Sequence, residues 1–311
     1  MSGVRRGLVE LLMVAALYVA YTFSRMLADT DVGAALGRAR ELLRVEDAVG
    51  LAREQAVNAW FVAHDTVGVI ASFWYSSAHY VVTVVALVWL YRRGRDVYVP
   101  ARRALAAATV LGLVFYLLLP TAPPRMIGGY VDVLRLHADV GWWGADASAP
   151  KGLGGLTNEL AAFPSLHAGW SLWVAFAVMS ATRNRVLRVA GWTYAAVTAV
   201  VVVGTANHWT VDVIVGWIVA AAGWLLADAL GRLADRRRGE LVPAPARVGT
   251  AAATAGRTAI DRAVSGTELV ARAVREGALT LPGMTVPPAV VRRLAHPPVP
   301  DPPVPSGRSA G

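Results

Sequence analysis

The sequence predicts an all-α, polytopic membrane protein, a bundle of six transmembrane helices with an outer amphipathic helix and a disordered C-terminal tail. Three observations support this class. The chain of 311 residues is 56% hydrophobic with a positive mean hydropathy, which is unusual for a soluble globular protein. Several apolar runs approach or exceed the roughly 20 residues that span a hydrocarbon core. The arginines gather in short segments between those runs, as expected of membrane proteins.

Six apolar runs define a membrane domain that we place at residues 1–238. They lie at about residues 7–26, 67–91, 102–120, 166–182, 187–206 and 209–230. The first run follows Arg5 and Arg6 but lacks the small-residue cleavage site of a secretory signal peptide. We therefore interpret this run as a signal anchor that stays in the membrane.

The charges between the runs predict the orientation. Arginine clusters precede the first run and follow the second, fourth and sixth: Arg5 and Arg6; Arg92, Arg93, Arg95, Arg102 and Arg103; Arg183, Arg185 and Arg188; Arg232, Arg236, Arg237 and Arg238. With six spans all four clusters fall on one side, and cytoplasmic loops carry the excess of basic residues. We expect a multi-pass protein of the cell (plasma) membrane with both termini cytoplasmic. The net charge of +9 then reflects orientation, so no nucleic-acid partner is predicted.

Three segments lie outside the spans. Residues 32–62 mix apolar residues with Arg and Glu, which predicts one or two amphipathic helices at the outer interface. Residues 121–165 form the longest outer loop, and a long loop in a compact domain is usually functional. Residues 239–311 are rich in Ala, Pro, Gly and Arg. We interpret them as a disordered cytoplasmic tail with one weak amphipathic patch near residues 260–279.

Two short polar islands stand at the ends of apolar runs. The first island is residues 163–170, FPSLHAGW, and the second is residues 207–212, NHWTVD. An ionisable group at membrane depth is costly, so its presence indicates a function. His208 and Asp212 are four residues apart, which places both on one helical face. A carboxylate in that position can orient and charge an imidazole that acts as a nucleophile or base.

The two islands suit phosphoryl transfer on the extracytoplasmic face. His208 Nε2 could attack phosphorus while Asp212 accepts a hydrogen bond from Nδ1. His167 could then protonate the leaving alkoxide as a general acid. These three residues are the predicted catalytic set.

Phosphate binding is assigned to Arg125, Ser165 and Asn207. Arg125 follows a rigid proline-rich exit from the third run, and Ser165 can cap a helix whose N-terminus favours an anion. A zinc site of two His and one Asp is the alternative, but no HExxH-like spacing and no cysteine is present. We predict no metal and no cofactor. The four remaining histidines, His64, His79, His137 and His296, are interpreted as ordinary polar residues.

The islands resemble motifs of the type 2 phosphatidic acid phosphatase superfamily, which comprises six-helix membrane lipid phosphatases and phosphotransferases. Residues 164–167, PSLH, are similar to its second motif, usually PSGH. Asn207-His208-xxx-Asp212, followed by Gly216, is similar to its third motif. The resemblance implies His208 as nucleophile, Asp212 as its partner and His167 as general acid. It covers roughly residues 60–230, which we take as the catalytic core.

The chain also departs from the superfamily pattern. In the first motif, K-x6-R-P, Arg125 is followed by Met126 and Leu118 takes the lysine position. In the third motif Val202 takes the place of an arginine. The phosphate cradle therefore lacks two of its usual cations. Residues 120–124 (PTAPP), 165–168 (SLHA) and 207–208 (NH) resemble instead the branch that contains inositol phosphorylceramide synthases. Members of that branch transfer a phospho-headgroup between lipids.

Three functions follow from these residues. The first is a metal-independent phosphatase that acts on a phosphorylated lipid through a phosphohistidine. The second is a phosphotransferase in which an acceptor hydroxyl replaces water, for example in the transfer of inositol phosphate between lipids. The third is a non-catalytic lipid-binding or transport protein, against which His167, His208 and Asp212 argue together. The predicted partners are a phosphorylated lipid substrate, the membrane bilayer and, for the transferase, a hydroxyl acceptor.

Overall fold

A computed structural model describes residues 31–144, 147–150 and 159–237, together with the isolated positions 10, 12 and 19. Apart from one short hairpin, the regular elements of these residues are helical, which confirms the all-α prediction. The predicted span at residues 7–26, apart from two of those isolated positions, lies outside the described residues. The predicted tail at residues 239–311, with its amphipathic patch, lies outside them as well.

The elements follow one another in a simple order. They are α1 (Val32–Ala48), α2 (Glu54–Ala63), α3 (Asp65–Phe73), a π-helical turn (Trp74–Ala78), α4 (His79–Arg93), α5 (Arg95–Leu118), a 3-10 turn (Pro124–Met126), α6 (Val133–Leu136), β1 (Trp143–Gly144), β2 (Ala147–Pro150), α7 (Leu166–Ala181), α8 (Arg185–Gly204) and α9 (Thr210–Arg237). Strands β1 and β2 pair antiparallel. This hairpin lies within the long loop that the sequence predicts at residues 121–165.

Four helical segments of the described chain are long and apolar enough to cross a membrane. They are Asp65–Arg93, which joins α3, the π turn and α4; Arg95–Leu118; Arg185–Gly204; and Thr210–Leu233. Helix α7 is apolar but shorter, at 16 residues. Five of the six predicted runs therefore coincide with apolar helices, four of them long enough to span, and the total of six spans stays a prediction. Large apolar side chains such as Val85, Val200 and Ile218 are exposed on these helices, as a lipid-facing surface requires.

Helix α9 packs against both α5 and α7, and its crossing with α7 is very close. A Cβ atom on Gly216 would lie 2.2 Å from the backbone oxygen of Ser165. A Cβ atom on Gly169 would lie 2.9 Å from the backbone oxygen of Gly216. Only glycine allows two backbones to approach this closely. The crossing brings the first turns of α7 and α9 together, and these turns carry the two polar islands.

Residues 32–62 form two helices, α1 and α2, in agreement with the prediction for this segment. Helix α1 begins at a capping aspartate, Asp31, whose side chain accepts a hydrogen bond from the Ala34 amide. Its buried face packs Ala35 and Ala39 against a cluster that includes Trp209, immediately before α9. Helix α1 therefore rests directly on the segment that carries the second island.

Candidate active site

The second island is presented by a tight turn between α8 and α9. Ala206 adopts the left-handed conformation, with φ of 59°. The amides of Asn207 and His208 both donate to the carbonyl oxygen of Val202, at 3.2 and 3.1 Å. A left-handed residue after a helix is a common way to satisfy the last carbonyl groups and turn the chain. Here it fixes the backbone from which Asn207 and His208 project.

The His208 imidazole is held through Nδ1. This atom lies 2.8 Å from the carbonyl oxygen of Ala162 and 3.5 Å from Oδ2 of Asp212. Both neighbours are acceptors, so Nδ1 carries the proton and Nε2 keeps its lone pair. Nε2 is buried and has no hydrogen-bond partner within the described part of the chain. Burial lowers the pKa of His208, and the charge of Arg125 acts in the same direction, so the ring is neutral at physiological pH.

Asp212 is fully buried in the first turn of α9. Its Oδ2 accepts a hydrogen bond of 2.8 Å from the backbone amide of Trp209. Its Oδ1 has no hydrogen-bond partner among the residues that the structure describes. The indole of Trp209 donates to the carbonyl oxygen of Ala122, at 3.0 Å. Asp212 therefore both caps α9 and stands beside the His208 ring, as the four-residue spacing predicts.

Ser165 caps α7 and ties it to α9. Its Oγ accepts a hydrogen bond of 3.2 Å from the Ala168 amide. Its own amide donates to the backbone oxygen of Asp212, at 2.9 Å. The predicted helix cap is thus present, and the same residue fixes the N-terminus of α7 against the first turn of α9.

His167 follows this cap and lies between three rings. Its ring centroid is 5.6 Å from that of His208. It stacks on Tyr75, with centroids 4.4 Å apart, and meets His79 edge-on at 4.2 Å. The two histidines that the sequence singled out, 41 residues apart in the chain, therefore lie side by side.

Arg125 and Asn207 are directly paired. Arg125 Nη1 donates to Asn207 Oδ1 at 2.7 Å, and Arg125 Nε lies 3.4 Å from Asp132 Oδ2. The Arg125 amide also donates to the carbonyl oxygen of Ala206, at 2.9 Å. The guanidinium is consequently fixed beside the turn that holds His208. Because its charge acts on the pKa of His208, it contributes a positive field to the site.

His79 and Tyr75 are neighbours of the site that sequence reasoning missed. His79 is buried and its Nδ1 lies 3.1 Å from the Tyr75 carbonyl oxygen. The π-helical turn over residues 74–78 rotates this stretch, and such turns are frequent at functional sites. An ionisable residue within an apolar run was the one sequence feature that could have identified His79.

The two positions at which the superfamily pattern has cations carry apolar side chains in this chain. Leu118 is 71% exposed near the end of α5, on the apolar surface, and Val202 is fully buried in the core. Of the described residues, no group of three or more His, Cys, Asp or Glu is arranged to hold a metal ion. The groups gathered at this site are two imidazoles, a carboxylate, a guanidinium and a helix N-terminus.

Comparison with known proteins identifies a family. A family model described as the PAP2 superfamily matches residues 40–226, which is more than half of the chain and includes both polar islands. No curated protein and no solved structure matches the chain.

Proposed function

Because the chain belongs to the PAP2 superfamily, we propose that it is a membrane lipid phosphatase that works without a metal ion through a phosphohistidine. Membership itself indicates a lipid enzyme of the phosphatase or phosphotransferase type. The observation that carries the finer proposal is the state of His208. Its Nδ1 donates a hydrogen bond to the Ala162 carbonyl oxygen, and no described group bonds to its Nε2. The His208 ring itself lies beside the ring of His167.

The reaction has two steps. In the first, the Nε2 lone pair of His208 attacks phosphorus, the bond between phosphorus and the lipid oxygen breaks, and His167 gives that oxygen a proton. In the second, His167 takes a proton from water, the water oxygen attacks phosphorus, and the bond between phosphorus and Nε2 breaks. The products are inorganic phosphate and the dephosphorylated lipid. Asp212 stabilises the positive charge that develops on the His208 ring in each step.

Arg125, Asn207 and Ser165 are the proposed phosphate-binding residues. The guanidinium of Arg125 supplies positive charge, and Asn207 holds it at 2.7 Å next to the nucleophile. Ser165 is completely buried, so we assign it the fixing of the α7 N-terminus, whose amides favour an anion. We place this site on the extracytoplasmic side of the cell membrane, with both termini cytoplasmic, on the basis of the arginine clusters.

A phosphotransferase is the second candidate, and the charge of the site favours it. Leu118 and Val202 replace two cations of the superfamily pattern, and both side chains are apolar. A phosphate monoester carries about two negative charges near neutral pH, whereas a phosphodiester carries one. A phosphate-binding site with fewer cations is better suited to the diester, because the diester carries less negative charge. In that reaction an acceptor hydroxyl takes the place of water in the second step.

The test measures phosphate release from a panel of lipid phosphates by the purified protein, with and without inositol or diacylglycerol as acceptor. His208→Ala should lower the turnover rate by about 10³-fold or more. His64→Ala is the matched control, since the His64 side chain bonds to the Trp60 carbonyl oxygen of its own helical turn. EDTA should leave the activity unchanged. Activity that EDTA removes and zinc or magnesium restores would refute the phosphohistidine proposal, and a new lipid formed only with an acceptor would identify the transferase.

A further inference from the structure

Two buried glutamates lie against the N-terminus of α9. Glu46 is near the end of α1 and Glu54 begins α2, and their exposed fractions are 0% and 1%. A buried carboxyl group is rare in proteins unless a specific partner compensates its lost hydration. Neither glutamate belongs to the catalytic or phosphate-binding residues described above.

Both side chains bond directly to the backbone of α9. Glu46 Oε1 accepts from the Val211 amide at 2.6 Å, and Glu54 Oε1 accepts from the Thr210 amide at 3.1 Å. Asp212 accepts from the Trp209 amide at 2.8 Å. Three successive amides at the start of α9 thus each bond to a carboxyl group. Helix N-termini need such acceptors, because their first amides have no partner within the helix.

The remaining oxygens of the two glutamates imply a proton. Glu46 Oε2 and Glu54 Oε2 are buried, and neither atom accepts a hydrogen bond from an N–H or O–H group of the described residues. The Glu54 side chain acts on Glu46 through a hydrogen bond as well as through its charge. Ionised carboxylates only accept hydrogen bonds, so this pair can bond only if one member is protonated. Burial raises the pKa of Glu46 to about 8. The hydrogen bond from the Val211 amide opposes this shift, and the hydrogen bond and charge of Glu54 and the charge of Asp212 add to it.

We propose that Glu46 and Glu54 form a proton-sharing clamp that positions the first turn of α9, and with it Asp212 and His208. The clamp sets the alkaline limit of the activity, a consequence that rests on the function proposed above. Glu46 and Glu54 are positioning residues, since they act through the backbone of α9. Helices α1 and α2, which carry these glutamates, therefore help to position the proposed catalytic residues.

The groups around the clamp make its proton necessary. The charge of Asp212 on α9 acts on Glu46, and the charges of both glutamates and of Asp47 act on Tyr130 in the loop before α6. Each of these groups is neutral or negative. Loss of the shared proton places a second full negative charge beside Asp212, and the helix N-terminus offsets only about half a charge. The α1 and α2 contacts with α9 should then weaken.

The sign of the pH dependence follows from the raised pKa of Glu46. The folded protein keeps this proton up to about pH 8, whereas the unfolded chain releases it near the ordinary value of 4.5. The contribution to stability is therefore fully present only below about pH 4.5, declines as the pH rises above that value, and is lost once the pH has risen through about 8. Activity should decline over the top of the same window, because repulsion among the two carboxylates and Asp212 displaces the first turn of α9.

Glu46→Gln in the full-length protein tests the clamp. The glutamine keeps an oxygen for the Val211 amide and an N–H donor for Glu54, but it does not titrate. Glu41→Gln is the matched control, since Glu41 is exposed on the same helix and pairs with Arg44. We expect Tm to fall between pH 7 and 9 in the wild type and in Glu41→Gln, and to stay nearly flat in Glu46→Gln. The alkaline limb of kcat should move upward by at least about one pH unit in Glu46→Gln, since this limb follows the titrating group.

Glu46→Ala separates positioning from simple stability. It should lower kcat more than 10-fold at every pH, whereas Glu46→Gln should restore most of the loss at pH 7. A Glu46→Gln protein whose Tm and kcat follow the wild-type pH dependence would overturn the proposal. The Tm measurement needs no substrate, so it decides the clamp even if no lipid is turned over. If Glu46→Gln does not fold, Glu54→Gln is measured instead. Without the hydrogen bond and charge of Glu54 the pKa of Glu46 should fall, so the decline of Tm and kcat should move to lower pH, and an unchanged pH dependence would overturn the proposal.

Discussion

The His208 ring shows how a few atoms define the chemistry. Two acceptors compete for its Nδ1 proton, and the Ala162 carbonyl oxygen at 2.8 Å is closer than the Asp212 carboxylate at 3.5 Å. The carbonyl group can fix the tautomer by itself. In the proposed reaction, the contribution of Asp212 is then mainly its charge, which would balance the cation that forms when Nε2 binds phosphorus.

Asp212→Asn tests this division of roles. The amide oxygen can still accept from the Trp209 amide, so α9 should stay capped and the protein folded. Loss of the charge should lower kcat by about 10²-fold to 10⁴-fold, measured as phosphate release. Asp228→Asn on the same helix is the control, because Asp228 is exposed and pairs with Arg232. An Asp212→Asn enzyme with wild-type kcat would show that the carbonyl group alone suffices.

The sequence could reveal His167, His208 and Asp212, because ionisable residues at membrane depth need a functional reason. It did not reveal His79 and Tyr75. Their position against His167 depends on the π turn over residues 74–78, which shifts the helical register. No pattern of apolar residues encodes that shift. Glu46 and Glu54 were equally hidden, since charged residues in an amphipathic segment ordinarily face water.

At the scale of elements, the crossing of α7 and α9 makes the site possible. The apolar runs predicted most of these helices to within a few residues, because length and hydropathy alone determine a span. The closeness of the crossing was not predictable, since it depends on which glycines meet. Likewise the prediction of a long loop over residues 121–165 did not include the β1–β2 hairpin, since two very short strands leave little periodicity in the sequence.

Gly216→Ala tests the importance of that crossing. The new Cβ would lie 2.2 Å from the Ser165 backbone oxygen, so α7 and α9 must separate. We expect a loss of about 1–3 kcal/mol in stability, the usual cost of overpacking, and a larger relative loss of kcat because both islands move. Gly231→Ala on the same helix is the control, since its nearest neighbour is an arginine side chain at 3.8 Å. Denaturation experiments and activity assays on both variants provide the test. Equal losses of stability and kcat in Gly216→Ala and Gly231→Ala would contradict this role of the crossing.

At the scale of the whole molecule, the orientation rests on the arginine clusters and on an even number of spans. The described residues contain four long apolar helices and the shorter α7. The first predicted run falls mainly outside these residues, so the count of six depends on the sequence. Orientation in turn decides which pool of lipids the site can reach, because it places the islands on one face of the membrane.

Cysteine labelling tests the orientation, and the native chain has no cysteine to interfere. Val140→Cys in the outer loop and Arg185→Cys at the start of α8 both introduce thiols at exposed positions. In intact cells an impermeant thiol reagent should label the first and not the second. Permeabilised cells, in which both should react, provide the control. Labelling of position 185 alone would place the site in the cytoplasm.

The most direct test of His208 as the nucleophile is to detect a phosphoryl group on its side chain. His167→Ala protein should be incubated with a phosphate ester that has a good leaving group, since such a group leaves without a general acid. Peptide mass spectrometry at alkaline pH should then detect phosphate on the peptide that contains His208. The same experiment on His208→Ala should detect none. Turnover with phosphate on another residue, or steady turnover with no phosphoenzyme in any rapid-quench sample, would contradict His208 as the nucleophile.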